Sequence, residues 1–268
     1  MINKQQDIEA IFNTAFVNIS KGNIAQAKTI LKEQKLSKQY KTIQNIVLDL
    51  LYKEEMSCDP NTGNLATYLE WYTDIEIRLI IVVVLTKLSE AVSKGNIEDE
   101  IKKPILKYTQ CTLWIFGMEI IKAAGNYPDE SISGQIWING KIARDLALRM
   151  ALVFEKEQNN FYELDMYNIR ANITTSIMAH YHHLVGPAMI DAANCFLKNN
   201  IPTKAIDHFN AVFLDFKWLV EEYKIGEEII DEDKIAMQSL KDACEGLFQL
   251  NEGSKKIKNI LLKVKDLL

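Results

Sequence analysis

The sequence predicts an all-α protein of stacked antiparallel helix pairs, either a helical-repeat solenoid or an irregular helical bundle, and three observations carry that expectation. Apolar residues recur at intervals of three and four along nearly the whole chain, the mark of a helix with one face turned to a core. Only 11 glycines and 5 prolines stand among 268 residues, half the ordinary share of about 12%. That is too few for a sandwich or barrel, which needs a turn every ~8–12 residues. The pentapeptide Ser-Lys-Gly-Asn-Ile occurs twice, at 20–24 and 93–97, and Gly125-Asn126 and Asn199-Asn200-Ile201 echo its core. Each reads as one device: a Gly or Asn ends a helix in the left-handed conformation, and an Asn caps the next. With 48% hydrophobic and 25% charged residues, disorder is excluded.

Taken in order, Ile8, Ile11, Phe12, Ala15 and Phe16 form a first stripe, ended by Gly22. Asn23 is placed to cap a second helix carrying Ile24, Ala27, Ile30 and Leu31. A third helix is expected over 37–55, followed by the turn chemistry of Asp59-Pro-Asn-Thr-Gly63. The segment 65–93 holds the most apolar run, Leu79 to Leu85. That run is far short of the ~20 residues a bilayer crossing takes. It reads as a helix buried on all sides, with a strand as the alternative because β-branched residues crowd it. Pro104 stands near the start of a helix that carries Leu106, Leu113, Phe116, Ile120 and Ile121 and stops at Gly125. Residues 127–140 read as a structured loop, 141–157 as a helix, and 161–184 as a helix broken by Gly186-Pro187. A helix over 203–223 docks by Ala205, Phe209, Val212, Phe213, Phe216, Leu219, Val220 and Tyr223. The organisation expected is one unit over 1–268, with 56–64 as the place where a subdivision would fall.

Two segments resemble the tetratricopeptide repeat. In Gly22-Asn-Ile-Ala-Gln-Ala27 the distance from the turn glycine to the small residue of the second helix matches that family, with Leu31 at its large apolar position and Ala15 at its small first-helix position. Further on, Ala193, Phe196, Ala205 and Phe209 fall on the family's small, aromatic, small and aromatic positions. The resemblance implies stacked antiparallel helix pairs and the binding of a partner, and it carries over no catalytic residue.

Charge and cysteine usage narrow the class. A net charge of −5 and a pI of about 5.5 give no global reason to seek nucleic acid. The first residues lack a basic start followed by an apolar core, so no secretory signal is read, and no segment is long enough to span a membrane. Cys58, Cys111, Cys195 and Cys244 form neither a zinc pattern nor a disulfide framework. Reduced thiols in a cytoplasmic protein are expected, and a bacterial setting fits.

Chemistry-bearing residues are few. All four histidines lie between His180 and His208. His180 and His183, expected near the end of one helix and on one face, have the spacing of a metal-binding pair. The favoured reading is instead that they pack or cap a helix C-terminus, and no metal or other cofactor is expected. Asp59, Asn61, Thr67 and Glu70 match four positions of a calcium loop, but Gly63 and Asn64 invert the needed order, so a plain turn is preferred. Arginine is scarce: Arg78, Arg144, Arg149 and Arg170 are expected to bridge helices, with an anion-binding role for Arg144, Arg149 or Arg170 as the alternative. The last segment, 254–268, is basic and amphipathic through Ile257, Ile260, Leu261, Val264 and Leu268. It reads as a cap on the stack that meets the acidic stretch 221–233, or else as a homodimer helix or a membrane-surface helix. No P-loop, dinucleotide fingerprint, nucleophile elbow or kinase motif set is present. These readings favour an interaction module (adaptor, regulator or immunity-type protein) that binds a protein or peptide and has no catalytic residue of its own. The alternative is a helical-bundle enzyme or metal carrier centred on His180, His183 and Arg170.

Overall fold

The computed structural model describes residues 12–36, 38–52, 75–125 and 134–268. Helices make up its regular structure, and among the described residues there is no strand. The helices are α1 (12–20), α2 (Ile24–Glu33), α3 (Lys38–Leu51), α4 (Ile75–Lys94), α5 (Asp99–Ala124), α6 (Gly134–Lys156), α7 (Asn160–Ile177), α8 (His182–Lys198), α9 (Pro202–Phe216), α10 (Leu219–Glu222), α11 (Asp231–Gln249) and α12 (Lys255–Leu267). The subdivision expected at 56–64, the calcium-loop comparison at 59–70, Cys58, and Ile8 and Ile11 lie outside the described residues.

The helices gather into two compact units. Residues 1–119 and 145–166 form one, and residues 120–144 and 167–268 the other.

In the first unit, α4 is buried on every side from Leu79 to Thr86. This explains its lack of any alternating polar pattern, and the strand alternative is set aside. Several buried hydroxyls in this unit bond within a helix or to its neighbour. Thr86, Thr109 and Thr112 donate to carbonyls four residues back, and Ser89 donates to Thr109 at 2.8 Å across the α4–α5 contact.

In the second unit, α8, α9 and α11 pack on one another and α12 packs on α10 and α11. Phe209, Phe213 and Phe216 of α9 are buried there, with Ala193 and Phe196 of α8 and Leu240 and Leu247 of α11.

Four helix ends share one construction. Gly22, Gln158, Asn200 and Asn251 have φ of 81°, 56°, 59° and 60°. At each, the left-handed residue donates its N–H to the carbonyl three residues back, and the following residue donates to the carbonyl five back. The pairs are Gly22 to Ile19 with Asn23 to Asn18, Gln158 to Glu155 with Asn159 to Phe154, Asn200 to Leu197 with Ile201 to Phe196, and Asn251 to Phe248 with Glu252 to Leu247. This double bond satisfies carbonyls that a helix end leaves orphaned. Asn159 and Ser254 then accept from the Tyr162 and Ile257 N–H groups and cap the next helix. Asn23 occupies the cap position, but with ψ at 62° its side chain makes no cap hydrogen bond.

The second copy of the pentapeptide uses its glycine differently. Gly95 is not left-handed, and a Cβ there would lie 2.5 Å from the Ile19 carbonyl oxygen. A Cβ on Gly22, in turn, would stand 4.0 Å from the Asn96 carbonyl oxygen. The two identical corners therefore touch, and the C-terminal ends of α1 and α4 come together. The second corner is also tied to the α6 end: Ser93 donates to Glu157 at 2.7 Å, Lys102 pairs with Glu157 at 2.8 Å, and Lys156 donates to the Ser93 carbonyl at 2.5 Å.

Several expected boundaries move, each for a physical reason. Residues 134–140 are the first two turns of α6, not loop. Ile136, Asn139, Gly140 and Ala143 make its buried face, and Gly140 is there because a Cβ would lie 2.6 Å from Ile177. The chain breaks at 178–181, earlier than Gly186-Pro187, which sit inside α8. Gly186 is a packing glycine, since a Cβ would meet Ser239 at 2.6 Å and Phe216 at 2.7 Å. Pro187 is the sixth residue of α8, one turn past the unpaired N–H groups of its start, and forgoes the bond to the His183 carbonyl. The helix expected over 203–223 ends at Phe216, turns at Lys217-Trp218 and resumes as α10. Pro104 lies within α5 near its start.

Candidate binding groove

The first unit holds an open groove of about 300 Å³. α1 contributes Asn13, Phe16, Val17 and Ser20, and α4 contributes Lys87, Glu90, Ala91 and Lys94. Each set is spaced three, four and seven residues from its first member, so each is one face of one helix. Arg149 of α6 completes the lining. The groove thus begins where the two Ser-Lys-Gly-Asn-Ile corners meet and runs back along the two helices that end there.

Its floor and rims differ in chemistry. Phe16 and Ala91 are buried, while Val17 is 41% exposed and offers an apolar surface to solvent. Phe16 is held in place by stacking on Phe12, ring centroids 5.8 Å apart. Lys87, Lys94 and Arg149 supply three cations, and Glu90 supplies one carboxylate. Arg149 and Glu90 form a two-pronged pair, Nε to Oε1 at 2.7 Å and a terminal nitrogen to Oε2 at 2.8 Å. Such a fork fixes the guanidinium plane and keeps it at the groove wall.

Of the residues singled out from sequence, Arg149 alone lines this groove. His180, His183, Arg144 and Arg170 belong to the second unit. Arg170 bonds Asp191 across α7 and α8, and the Nη1 of Arg144 approaches the Met178 sulfur at 3.6 Å. His180 is exposed in the turn 178–181, while His183 lies in the first turn of α8. They are therefore not one face of one helix, and neither caps a helix C-terminus. His183 Nδ1 stands 3.7 Å from Glu232 and its ring meets Tyr181 edge-on at 6.1 Å. Tyr181 in turn lies 6.2 Å from Trp137, whose ring is approached by Lys141 at 5.6 Å. His182 packs between Phe216 and Trp218 at 5.1 and 5.4 Å. Among the described residues, no three His, Cys, Asp or Glu side chains gather as an ion site would require.

The arginines act as inter-helix ties in Arg78–Glu119 at 2.5 Å, Arg149–Glu90 and Arg170–Asp191. Cys111, Cys195 and Cys244 are buried and unlinked. Burial in an apolar core, with the Glu245 charge nearby, pushes the Cys244 thiol up to about 12, which leaves it without nucleophilic character near neutrality. In α12, Ile257, Ile260 and Val264 are buried within the chain's own fold, so a homodimer through that stripe would require the helix to undock. Lys265 pairs with Glu245 of α11 at 2.8 Å; the acidic stretch 221–233 is not its partner in that pair. Among the described residues, no helix is long and apolar enough to cross a membrane.

None of residues 13, 16, 17, 20, 87, 90, 91 and 94 was marked from sequence as a site residue, although Phe16 stands in the first apolar stripe and Ser20 and Lys94 in the repeated pentapeptide. The signal that points to them is the repeated corner, because the last two turns before each copy carry the groove faces. No family model, curated protein or solved structure matches the chain, so its functional reading rests on its own geometry.

Proposed function

We propose that this protein is an interaction module that binds a protein or peptide partner and carries out no chemistry of its own. The supporting observation is the groove between α1 and α4, an open surface with an apolar floor and fixed charged rims rather than an enclosed pocket with activated groups. Enclosed sites with shifted acid–base groups mark catalysis. Three of the shifted groups lie in structural surroundings: Glu157 sits in the corner network, Asp165 is half-buried and accepts from Gln110, and Cys244 is in the core. The two touching corners also agree with the helical-repeat reading, in which equivalent helices of successive hairpins lie side by side and line the binding face. Reduced, buried thiols agree with a cytoplasmic setting.

The test is site-directed photo-cross-linking in the native host. A photoreactive residue at Val17 is expected to capture one recurrent polypeptide that the same residue at Leu262, exposed on α12, does not. Capture of the same proteins from both positions, or of none from Val17, would contradict the reading.

A further inference from the structure

The outer face of α12 carries groups that its own fold leaves unused. Ile257, Ile260 and Val264 are buried where the helix packs on α10 and α11. The opposite face, at 3.6 residues per turn, runs through Lys255, Lys258, Leu262 and Asp266, all exposed. Leu262 stands near the middle of the helix and is 54% exposed. Lys258 precedes it by one turn and Asp266 follows it by one turn. Among the described residues neither Lys258 nor Asp266 forms an ion pair, unlike Lys265, which Glu245 holds at 2.8 Å.

Positions 258, 262 and 266 are evenly spaced about Leu262, but the charge changes sign across it. A face with that pattern is complementary to itself when turned end for end. About a two-fold axis at Leu262, Lys258 of one copy falls opposite Asp266 of the other, about 6 Å along the helix from Leu262 at 1.5 Å per residue. A parallel arrangement would set lysine on lysine and aspartate on aspartate, which repel. The flanks repeat the pattern. Lys255 and Lys256 stand at the start of α12. The helix runs back along α11 after the short corner 250–254, so its last turn lies toward the start of α11 and the acidic stretch 221–233 that leads into it.

We infer that two copies of this chain pair through the outer face of α12, antiparallel about Leu262, with Lys258 of each against Asp266 of the other. The buried stripe stays docked in its own fold, so no undocking is required. Leu262 supplies apolar burial that exposed ion pairs do not, and the charges fix direction and register. One helix pair covers less than the roughly 1,600 Å² of a standard interface, so the dimer forms and parts readily. The inference is separate from the groove reading, because α12 belongs to the second unit and the groove to the first.

The test is sedimentation velocity of the intact protein over a concentration series, with circular dichroism to show that each variant stays folded. The wild type is expected to pass from monomer to dimer as concentration rises. Lys258→Glu turns two attractions into two repulsions, because the axis uses the pair twice, and the dissociation constant is expected to rise about tenfold or more. Asp266→Lys should do the same. The combined Lys258→Glu/Asp266→Lys variant restores complementarity with the signs exchanged and should dimerise like the wild type. A monomer at every concentration, a dimer untouched by either single reversal, or a double variant as weak as the singles would overturn the inference. So would a monomer that binds vesicles of mixed phosphatidylcholine and phosphatidylserine and loses that binding in Lys258→Glu, which would give the face to a lipid surface.

Discussion

In the unit of residues 1–119 and 145–166, polar side chains supply most of the ties between facing helices, with one close glycine approach at Gly95, whereas in the unit of 120–144 and 167–268 three glycine notches stand beside the ion pairs Arg170–Asp191 and Lys265–Glu245. The first unit has Ser89 on Thr109, Gln110 on Asp165, Arg149 on Glu90, and the Ser93–Glu157–Lys102 cluster. In the second, Gly140, Gly186 and Gly246 admit Ile177, Phe216 and Phe209 to distances at which a Cβ would clash. Polar ties have direction and can hold a groove open, because each needs its partner at a set distance. Notches let backbones approach and squeeze space out. The α1–α4 groove lies in the first unit, and the two units are expected to answer differently to mutation and to pH.

The largest expected effect is in the notched unit. Phe209 is 1% exposed and packs against Gly246, so Phe209→Ala should cost about 3–5 kcal/mol. Gly246→Ala and Gly186→Ala come next, at about 1–3 kcal/mol each, because rings held in a full core cannot yield to the added methyl. Alanine is the better helix former by only ~1 kcal/mol, so a rise in stability at either site, read by urea unfolding, would refute the notch description.

In the tied unit, Glu157→Gln leaves one acceptor oxygen for Ser93 but replaces the carboxylate oxygen that pairs with Lys102 by an amide N–H donor, and about 1–2 kcal/mol of stability is expected to go with it. Burial works against the ionised form of Glu157, but hydrogen bonds from Lys102 and Ser93 outweigh it and hold its carboxyl below the ordinary value of 4.5. A depressed carboxylate contributes its stability above the unfolded value and loses it as pH falls. The melting difference between wild type and Glu157→Gln should therefore be full at neutral pH and shrink below pH 4.5. A difference independent of pH would break the comparison.

Two smaller effects sharpen it. Gln158 sits at φ 56°, where only glycine is free of strain, so Gln158→Gly should stabilise by about 0.5–1 kcal/mol, as read by thermal melting. Asp165 has the opposite sign to Glu157. Burial raises its carboxyl above the ordinary 3.8, so its ionisation costs stability at neutral pH and the cost is relieved on acidification. Asp165→Asn keeps an acceptor for Gln110 and should leave stability at neutral pH unchanged within about 0.5 kcal/mol, or slightly raised.

Helix existence was legible in the sequence wherever an apolar stripe repeats, as in α9 and α12. Helix ends were less so, because a glycine kept for a close approach looks the same as one kept for a turn. Gly140 and Gly186 were read as breaks for that reason, while the true break at 178–181 carries no Gly or Pro. Gln158 adopts the left-handed corner without being a residue type that favours it. The repeated pentapeptide was visible, but that its copies touch depends on α1 and α4 meeting in space. The groove was therefore hidden, and Arg149 was marked for its charge alone. His180 and His183 looked like one helical face only under a helix that the structure ends at Ile177.

The most direct test of the central claim, that the surface between α1 and α4 is the working part of this protein, is methyl NMR of the intact protein titrated with a peptide selected on it. The account predicts that the Val17 and Ala91 methyl resonances shift with saturation while those of Leu262 stay fixed. Shifts confined to α12, or to the Tyr181–His183 surface, would contradict it.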